Sequence, residues 1–150
     1  MHNSLIIKGR GVSREIKSNV IQSPLAGVTD KIFRKFIRRW APDSLLFTEM
    51  INATSLKLGY GLEKINQISN EEGPVGIQLF DNRPNSIADA AKEAESLGAY
   101  IIDINMGCPV KKIAKKGGGS ALLKDPSLAV ELVKQISRAV KIPVSVKTRI

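Results

Sequence analysis

The side chains best suited to chemistry stand at the ends of apolar runs. Gln78 interrupts the run 75–80, Asp103 and Asn105 interrupt 100–105, and Lys147 and Arg149 interrupt 144–150. Side chains two apart on a strand share a face, so Asp103 points with Asn105 and Lys147 with Arg149. Cations and amides converging on one opening would suit a flat ligand with carbonyl and imide edges. Cys108 follows the run 100–105 and precedes Pro109. An unperturbed thiol has a pKa of about 8.5 and keeps its proton at neutral pH, as a general acid must. Each residue also has a plainer reading. Gln78 and Asp103 could be satisfied buried polar groups. Lys147 and Arg149 could mark a strand emerging into solvent, and an isolated cysteine is commonly a small buried hydrophobe.

These residues need a scaffold, and the pattern supplies one of alternating strands and helices. Strands are expected over 20–26, 44–50, 74–80, 100–105 and 143–150, each a short apolar run bounded by turn residues. Thr29 or Asp30 can cap a helix in which Phe33, Phe36, Ile37 and Trp40 share a stripe and the basic residues fill the wet face. A weaker helical stretch covers 53–68. Asn82 to Pro84 opens a helix with Ile87, Ala90, Ala91, Ala94 and Leu97 on one side and Gly98 at its end. Asp125-Pro126 opens another, carrying Leu128, Leu132, Val133, Ile136 and Val140. Residues 1–19 form a leader without an assigned element.

Strict alternation implies a parallel sheet with right-handed crossovers, either doubly wound or a (β/α)₈ barrel. Neither G-x-G-x-x-G nor a Gly-Lys-Ser/Thr loop follows the first strand, which disfavours the nucleotide-binding doubly wound option. A TIM barrel needs about 250 residues and eight strands, so this α/β chain would supply the first four βα units plus strand five. Barrel sites gather at the carboxyl ends of the strands, where the residues above stand.

Composition narrows the partners. The net charge of +9 over 150 residues favours a polyanion. The cations cluster at Lys31, Arg34, Lys35, Arg38 and Arg39, and again at Lys111, Lys112, Lys115 and Lys116. Gly117 to Ser120 could hinge a lid or cradle a phosphate. With one cysteine, no internal disulfide can form, which fits a cytoplasmic protein. Cys108 and His2 alone do not make a zinc site, and no metal is expected. No apolar run approaches the roughly 20 residues that span a bilayer, so no membrane partner is expected.

The stretch Asp103-Ile104-Asn105-Met106-Gly107-Cys108-Pro109, followed by Lys112-Ile113 and Gly117-Gly118-Gly119-Ser120-Ala121-Leu122-Leu123, resembles the signature of the tRNA dihydrouridine synthases. Further matches run in order: Ser23-Pro24-Leu25-Ala26-Gly27-Val28-Thr29-Asp30 with Phe33-Arg34, Thr48-Glu49-Met50, Val75-Gly76-Ile77-Gln78-Leu79 and Val146-Lys147-Thr148-Arg149. The family more often has Met where Leu25 stands, a change that a backbone contact would survive. The resemblance implies an FMN-containing barrel that reduces the C5=C6 bond of particular uridines in tRNA with NADPH. It implies that Pro24, Leu25 and Ala26 lie under the flavin ring, that Gln78 bonds its pyrimidine edge and that Lys147 sits by its N1/O2 side. Asn105 and Arg149 would hold the uracil, and Cys108 would protonate C5.

Two other readings stay open. An FMN barrel acting on a free pyrimidine, such as a dihydroorotate dehydrogenase, also places a cysteine or serine near Asn and Pro in a strand-end loop. Alternatively, a truncated half-barrel without strands six to eight and without the helical tRNA-binding domain would be non-catalytic. By itself the chain is expected to bind FMN poorly and to self-associate through an unpaired sheet edge.

Overall fold

The computed structural model describes residues 4–71 and 73–149, so His2 and the last residue of the expected fifth strand, Ile150, lie outside the described residues. An antiparallel hairpin, β1 (Leu5–Lys8) and β2 (Ser13–Ile16), precedes α1 (Lys31–Trp40). The parallel sheet contains β3 (Leu46–Phe47), β4 (Ile51–Asn52), β5 (Val75–Phe80), β6 (Ile102–Met106) and β7 (Val144–Thr148). Its order is β3-β5-β6-β7, and β4 pairs with the upper part of β5. The short helices α2 (Ala53–Lys57) and α3 (Leu62–Asn66) connect β4 to β5. The longer α4 (Pro84–Ser96) and α6 (Pro126–Ala139) cross over between β5, β6 and β7, and α5 (Lys111–Ala114) is a single turn after β6. The result is a curled parallel sheet with helices on its outer face, the arrangement of part of a (β/α)₈ barrel.

Alternation along the strands sorts the two faces. Val75, Ile77 and Leu79 of β5 and Ile102, Ile104 and Met106 of β6 meet Ile87, Ala91, Ala94, Leu132 and Ile136 of α4 and α6 in one buried core. The other face of the same strands carries Gly76, Gln78, Asp103 and Asn105, all buried as well. Helix ends follow local chemistry. Asp30 caps α1 by accepting from Phe33 N at 2.8 Å, and Asp125 caps α6 by accepting from Leu128 N at 3.0 Å. Gly98 ends α4 at φ +96°, a conformation that a side chain would strain.

Three expectations change. The strand over 20–26 contracts to one parallel bridge, Ile21 to Leu45, and then becomes a loop. The strand over 44–50 shortens to β3, and Thr48 to Met50 lead from it into β4, which lies beyond the expected strand. The basic face of α1 is not all wet. Arg34 is buried at 2% exposure, whereas Phe36 and Trp40, expected on the inner stripe, are 57% and 79% exposed. The buried guanidinium has partners: Arg34 donates Nε to Glu71 at 2.9 Å, Nη2 to the same carboxylate, and Nη1 to the Thr29 carbonyl at 2.7 Å. Arg38 likewise donates to the carbonyls of Pro42, Ser44 and Pro74. Hydrogen-bonding demand beneath the helix, not hydrophobicity, sets its rotation.

The hairpin is a structural role that the sequence left blank. Ile16, Leu45, Phe47 and Ile101 form a second buried cluster at the amino-terminal end of the sheet. The Lys141 carbonyl accepts from Gly11 N and Val12 N, and Arg14 lies 5.0 Å over the Tyr100 ring. The hairpin thus plugs the bottom of the sheet. Gly76 makes room for this cluster, since a Cβ there would stand 2.4 Å from the Phe47 ring and 2.8 Å from Ile101. Gly76→Ala is therefore expected to destabilise the protein by about 1–3 kcal/mol, the usual cost of overpacking. An unchanged thermal midpoint would show that the plug is loosely packed.

Candidate active site at the carboxyl edge of the sheet

Strand register converts the period-two pattern into rows across the inner face. Gln78 pairs with Asp103, and Asp103 with Ser145, in one row; Asn105 pairs with Lys147 in the row above. The rows are bonded together. Ser145 Oγ donates to Asp103 Oδ1 at 2.6 Å, and Gln78 Nε2 donates to Asp103 Oδ2 at 2.6 Å. Asn105 Nδ2 donates to Gln78 Oε1 at 2.8 Å. Asn105 Oδ1 then accepts from Gly107 N at 3.2 Å and from Cys108 N at 2.9 Å. A continuous polar chain therefore runs from β7 through β6 and β5 to the peptide of the cysteine.

The direction of that chain follows from one carboxylate. An ionised carboxyl only accepts. Gln78 must turn its NH₂ toward Asp103, which turns its carbonyl toward Asn105. Asn105 must then present its NH₂ to Gln78 and its oxygen to the two backbone N–H groups. Burial pushes the Asp103 carboxyl above its ordinary range, opposed by the hydrogen bonds from Gln78 and Ser145 and by the Lys147 charge. On acidification it takes up a proton earlier than an exposed aspartate would, and the chain then loses its fixed direction.

Cys108 is half-buried and clamped on both sides of its peptide. Its N–H is held by Asn105, and its carbonyl accepts from Ser120 N at 2.9 Å. Gly119, at φ +59°, backs onto the same carbonyl, and a Cβ there would stand 2.6 Å from it. The Gly-rich stretch is therefore a packed turn against the cysteine. Arg149 donates Nε to the Gly107 carbonyl, and Lys147 and Arg149 are exposed at the top of β7.

The loop after Ile21 completes the rim. Pro24 is half-buried and Ala26 exposed, and Leu25 is 50% exposed. This apolar surface is held from behind. Thr29, fully buried, bonds Leu25 N and Leu25 O through its hydroxyl at 3.1 Å, and its own carbonyl accepts from Arg34. Gly27 N donates to Glu49 Oε1 at 2.6 Å, and Lys64 meets the other oxygen of that carboxylate at 3.0 Å. Burial raises the Glu49 carboxyl, but the Gly27 N–H and Lys64 outweigh it and hold it below its ordinary value. Met50, the next residue, has its sulfur 3.7 Å from Asn105 Nδ2. Thr29, Arg34, Glu49 and Glu71 support the site without being marked by residue type or strand position. The first three lie within the quoted motifs, but their support of the loop depends on pairings that spacing does not reveal.

The arrangement defines a parallel α/β domain with one cysteine-bearing loop, a cationic strand end and a propped apolar loop on a common rim. A family model described as dihydrouridine synthase matches residues 21–150, and the chain belongs to that family. It is 51% identical over 92% of its length to the probable tRNA-dihydrouridine synthase 1 of Synechocystis. It is 43% identical over 90% to tRNA-dihydrouridine synthase B of Vibrio parahaemolyticus, and 41% identical over 90% to the probable tRNA-dihydrouridine synthase of Rickettsia bellii. The chain spans 39% of the Synechocystis protein and 42% of each of the other two.

The polar chain generates a test in the full-length protein. Asp103→Asn removes the accept-only end and is expected to speed alkylation of Cys108 by iodoacetamide several-fold, followed by mass spectrometry of its peptide. Ser145→Ala removes one donor without changing the chain's direction and should stay close to the parent rate. Equal rates for all three proteins would refute the directional account.

Proposed function

We propose that the parent enzyme is a flavin-dependent tRNA-dihydrouridine synthase, reducing the C5=C6 bond of uridine in cytoplasmic tRNA with NADPH as reductant. The observation that carries this reading is the clamped Cys108 at the carboxyl edge of the sheet, beside Lys147 and Arg149, within a chain of the dihydrouridine synthase family. We assign the bridge at Ile21, β3 with β4, β5, β6 and β7 to strands one to five of the barrel. Residues 1–19 precede the barrel proper, and the remaining strands and a helical tRNA-binding domain belong to the longer parent.

The residues present fit FMN. Leu25 offers an exposed apolar surface whose backbone Thr29 holds rigid, as a bed under a flat ring requires, with Pro24 and Ala26 flanking it. Gln78 is buried, but its amide retains one N–H and one lone pair beyond those bonded to Asp103 and Asn105. These would meet the pyrimidine edge at the floor of the site. Lys147 would set a positive charge against the N1/O2 side. A bound flavin would supply the hydride for uracil C6.

This chain's own groups would do the rest. Cys108 would hold a proton on Sγ and deliver it to C5. Among the described residues, the second N–H of Asn105 meets only the Met50 sulfur, a weak acceptor. A uracil carbonyl in that place would accept better, so Asn105 can grip substrate without releasing the peptide of Cys108. Arg149, anchored by Nε on Gly107, would bring its remaining donors to the same polar edge.

The chain of 150 residues is proposed to be inactive alone, since β7 stands at the sheet's end with one edge unpaired among the described residues. Stoichiometric FMN on the purified 150-residue chain would overturn that statement. In the full-length protein, Cys108→Ala should lower dihydrouridine formation in tRNA by about 10²–10⁴-fold, the usual contribution of a general acid. Nucleoside analysis of the product tRNA measures it. Reduction of free pyrimidines but not of tRNA would favour the small-substrate reading instead.

A further inference from the structure

Beside the acid loop lies a second concavity that the reaction as described does not use. It encloses about 760 Å³, opens to solvent, and sits where β4 and β5 end and the lysine-rich turn begins. Asn52, Ser55, Asn82, Arg83, Lys112 and Lys116 provide its polar lining. We propose that this groove binds a phosphate of the RNA backbone adjacent to the target nucleotide. The proposal rests on the tRNA reading above and adds where on this chain the backbone is held.

The charge balance selects an anion. The one carboxylate in the lining, Asp81, is 3% exposed and engaged by other groups. It accepts from Thr54 N at 2.8 Å, Thr54 Oγ1 at 2.6 Å, Asn82 N at 2.9 Å, Arg83 N at 3.1 Å and Arg83 Nε at 3.0 Å. Burial pushes Asp81 up, but the hydrogen bonds from Thr54 and Arg83 outweigh it and hold the carboxyl below its ordinary value. Asp81 is therefore ionised at neutral pH and balanced by Arg83. Lys112 and Lys116 stand one helical turn apart, both exposed, and among the described residues neither has an acidic partner. The groove thus carries uncompensated positive charge from Lys112 and Lys116 beside the Asn82 side chain, while Asn52 and Ser55 are bonded to each other and to the backbone beneath. Cations of this kind are the chemistry of a phosphate site.

Its position links it to the reacting base. Gly117 packs against the Asn82 side chain, with 2.8 Å between Asn82 Nδ2 and the place of a Cβ. Gly118 lines the groove, and of the next two residues Gly119 packs against the Cys108 carbonyl and Ser120 N donates to it. One loop therefore forms both the groove wall and the seat of the acid. A strand with its base at Cys108 would pass its neighbouring phosphate across this wall. Contacts there would help offset the cost of drawing a base out of its stack.

A phosphate could also come from the 2′-phosphate of the nicotinamide reductant, and the experiment separates the two. In the full-length protein, the double variant Lys112→Gln/Lys116→Gln should raise the KM for tRNA about tenfold. It should also lower the slope of log affinity against log salt by about 2, one for each cation removed. kcat at saturating tRNA, and the bleaching of flavin absorbance by NADPH without tRNA, should stay unchanged. The variant Lys35→Gln/Arg39→Gln, which removes the same charge from α1, should leave tRNA affinity unchanged. The proposal is overturned by an unaltered KM and slope, by an equal loss in the α1 variant, or by slowed flavin bleaching with tRNA affinity intact. Absence of tRNA reduction by the unmodified protein would instead sink the function proposed above.

Discussion

One buried carboxylate organises the inner face of this sheet. While ionised, Asp103 cannot donate, so each amide above it then has only one satisfactory orientation, and the end of the series is the N–H of the cysteine that would supply the proton. Burying an ionised group in a barrel interior is costly unless it is fully bonded. Here both oxygens are bonded, by Gln78 and Ser145, and Lys147 adds its charge from the next strand position. The same feature that makes the interior expensive makes it specific. An apolar core would pack as well but would leave the Cys108 peptide without a defined partner.

That chain depends on register, and register depends on the other face. Period two puts Gln78, Asp103 and Asn105 inside only if Ile77, Leu79, Ile102 and Ile104 are packed against α4 and α6. A slip of one residue would exchange the two sets. The apolar core therefore does more than stabilise the sheet, because it fixes which polar side chains can meet. The loop carrying Leu25 is governed differently, by Thr29, Glu49 and the buried Arg34–Glu71 pair rather than by strand pairing. The two sides of the rim are thus held by separate means.

Much of this was legible in the residues. The strands over 74–80, 100–105 and 143–150 and the helices between them emerge close to the expected boundaries, because long apolar stripes agree with a capping residue at one end of each helix, Gly98 for α4 and Asp125 for α6. The signature residues 103–109 also lie at the expected strand end. Contacts between distant segments were not legible. Nothing local to Gln78 says that its partner is Asp103, since register is decided by packing elsewhere. On α1 the spacing puts Phe33, Phe36, Ile37 and Trp40 on one stripe, but periodicity alone does not say which part of it turns inward. The choice is made by Glu71 and Thr29, which draw Arg34 inward. The hairpin was missed because its strands are four residues long and mostly exposed, with little apolar alternation to read.

That hairpin has a consequence for how the protein is made. Gly11 and Val12 dock on the carbonyl of Lys141, about 130 residues further along the chain. At roughly 5–20 residues per second, the ribosome delivers that partner on the order of ten seconds after the hairpin. During this interval Ile16 has no finished floor to close, and the nascent sheet grows with its lower end open. The hairpin therefore cannot be seated until the segment carrying Lys141 has emerged, although it precedes every strand of the described parallel sheet.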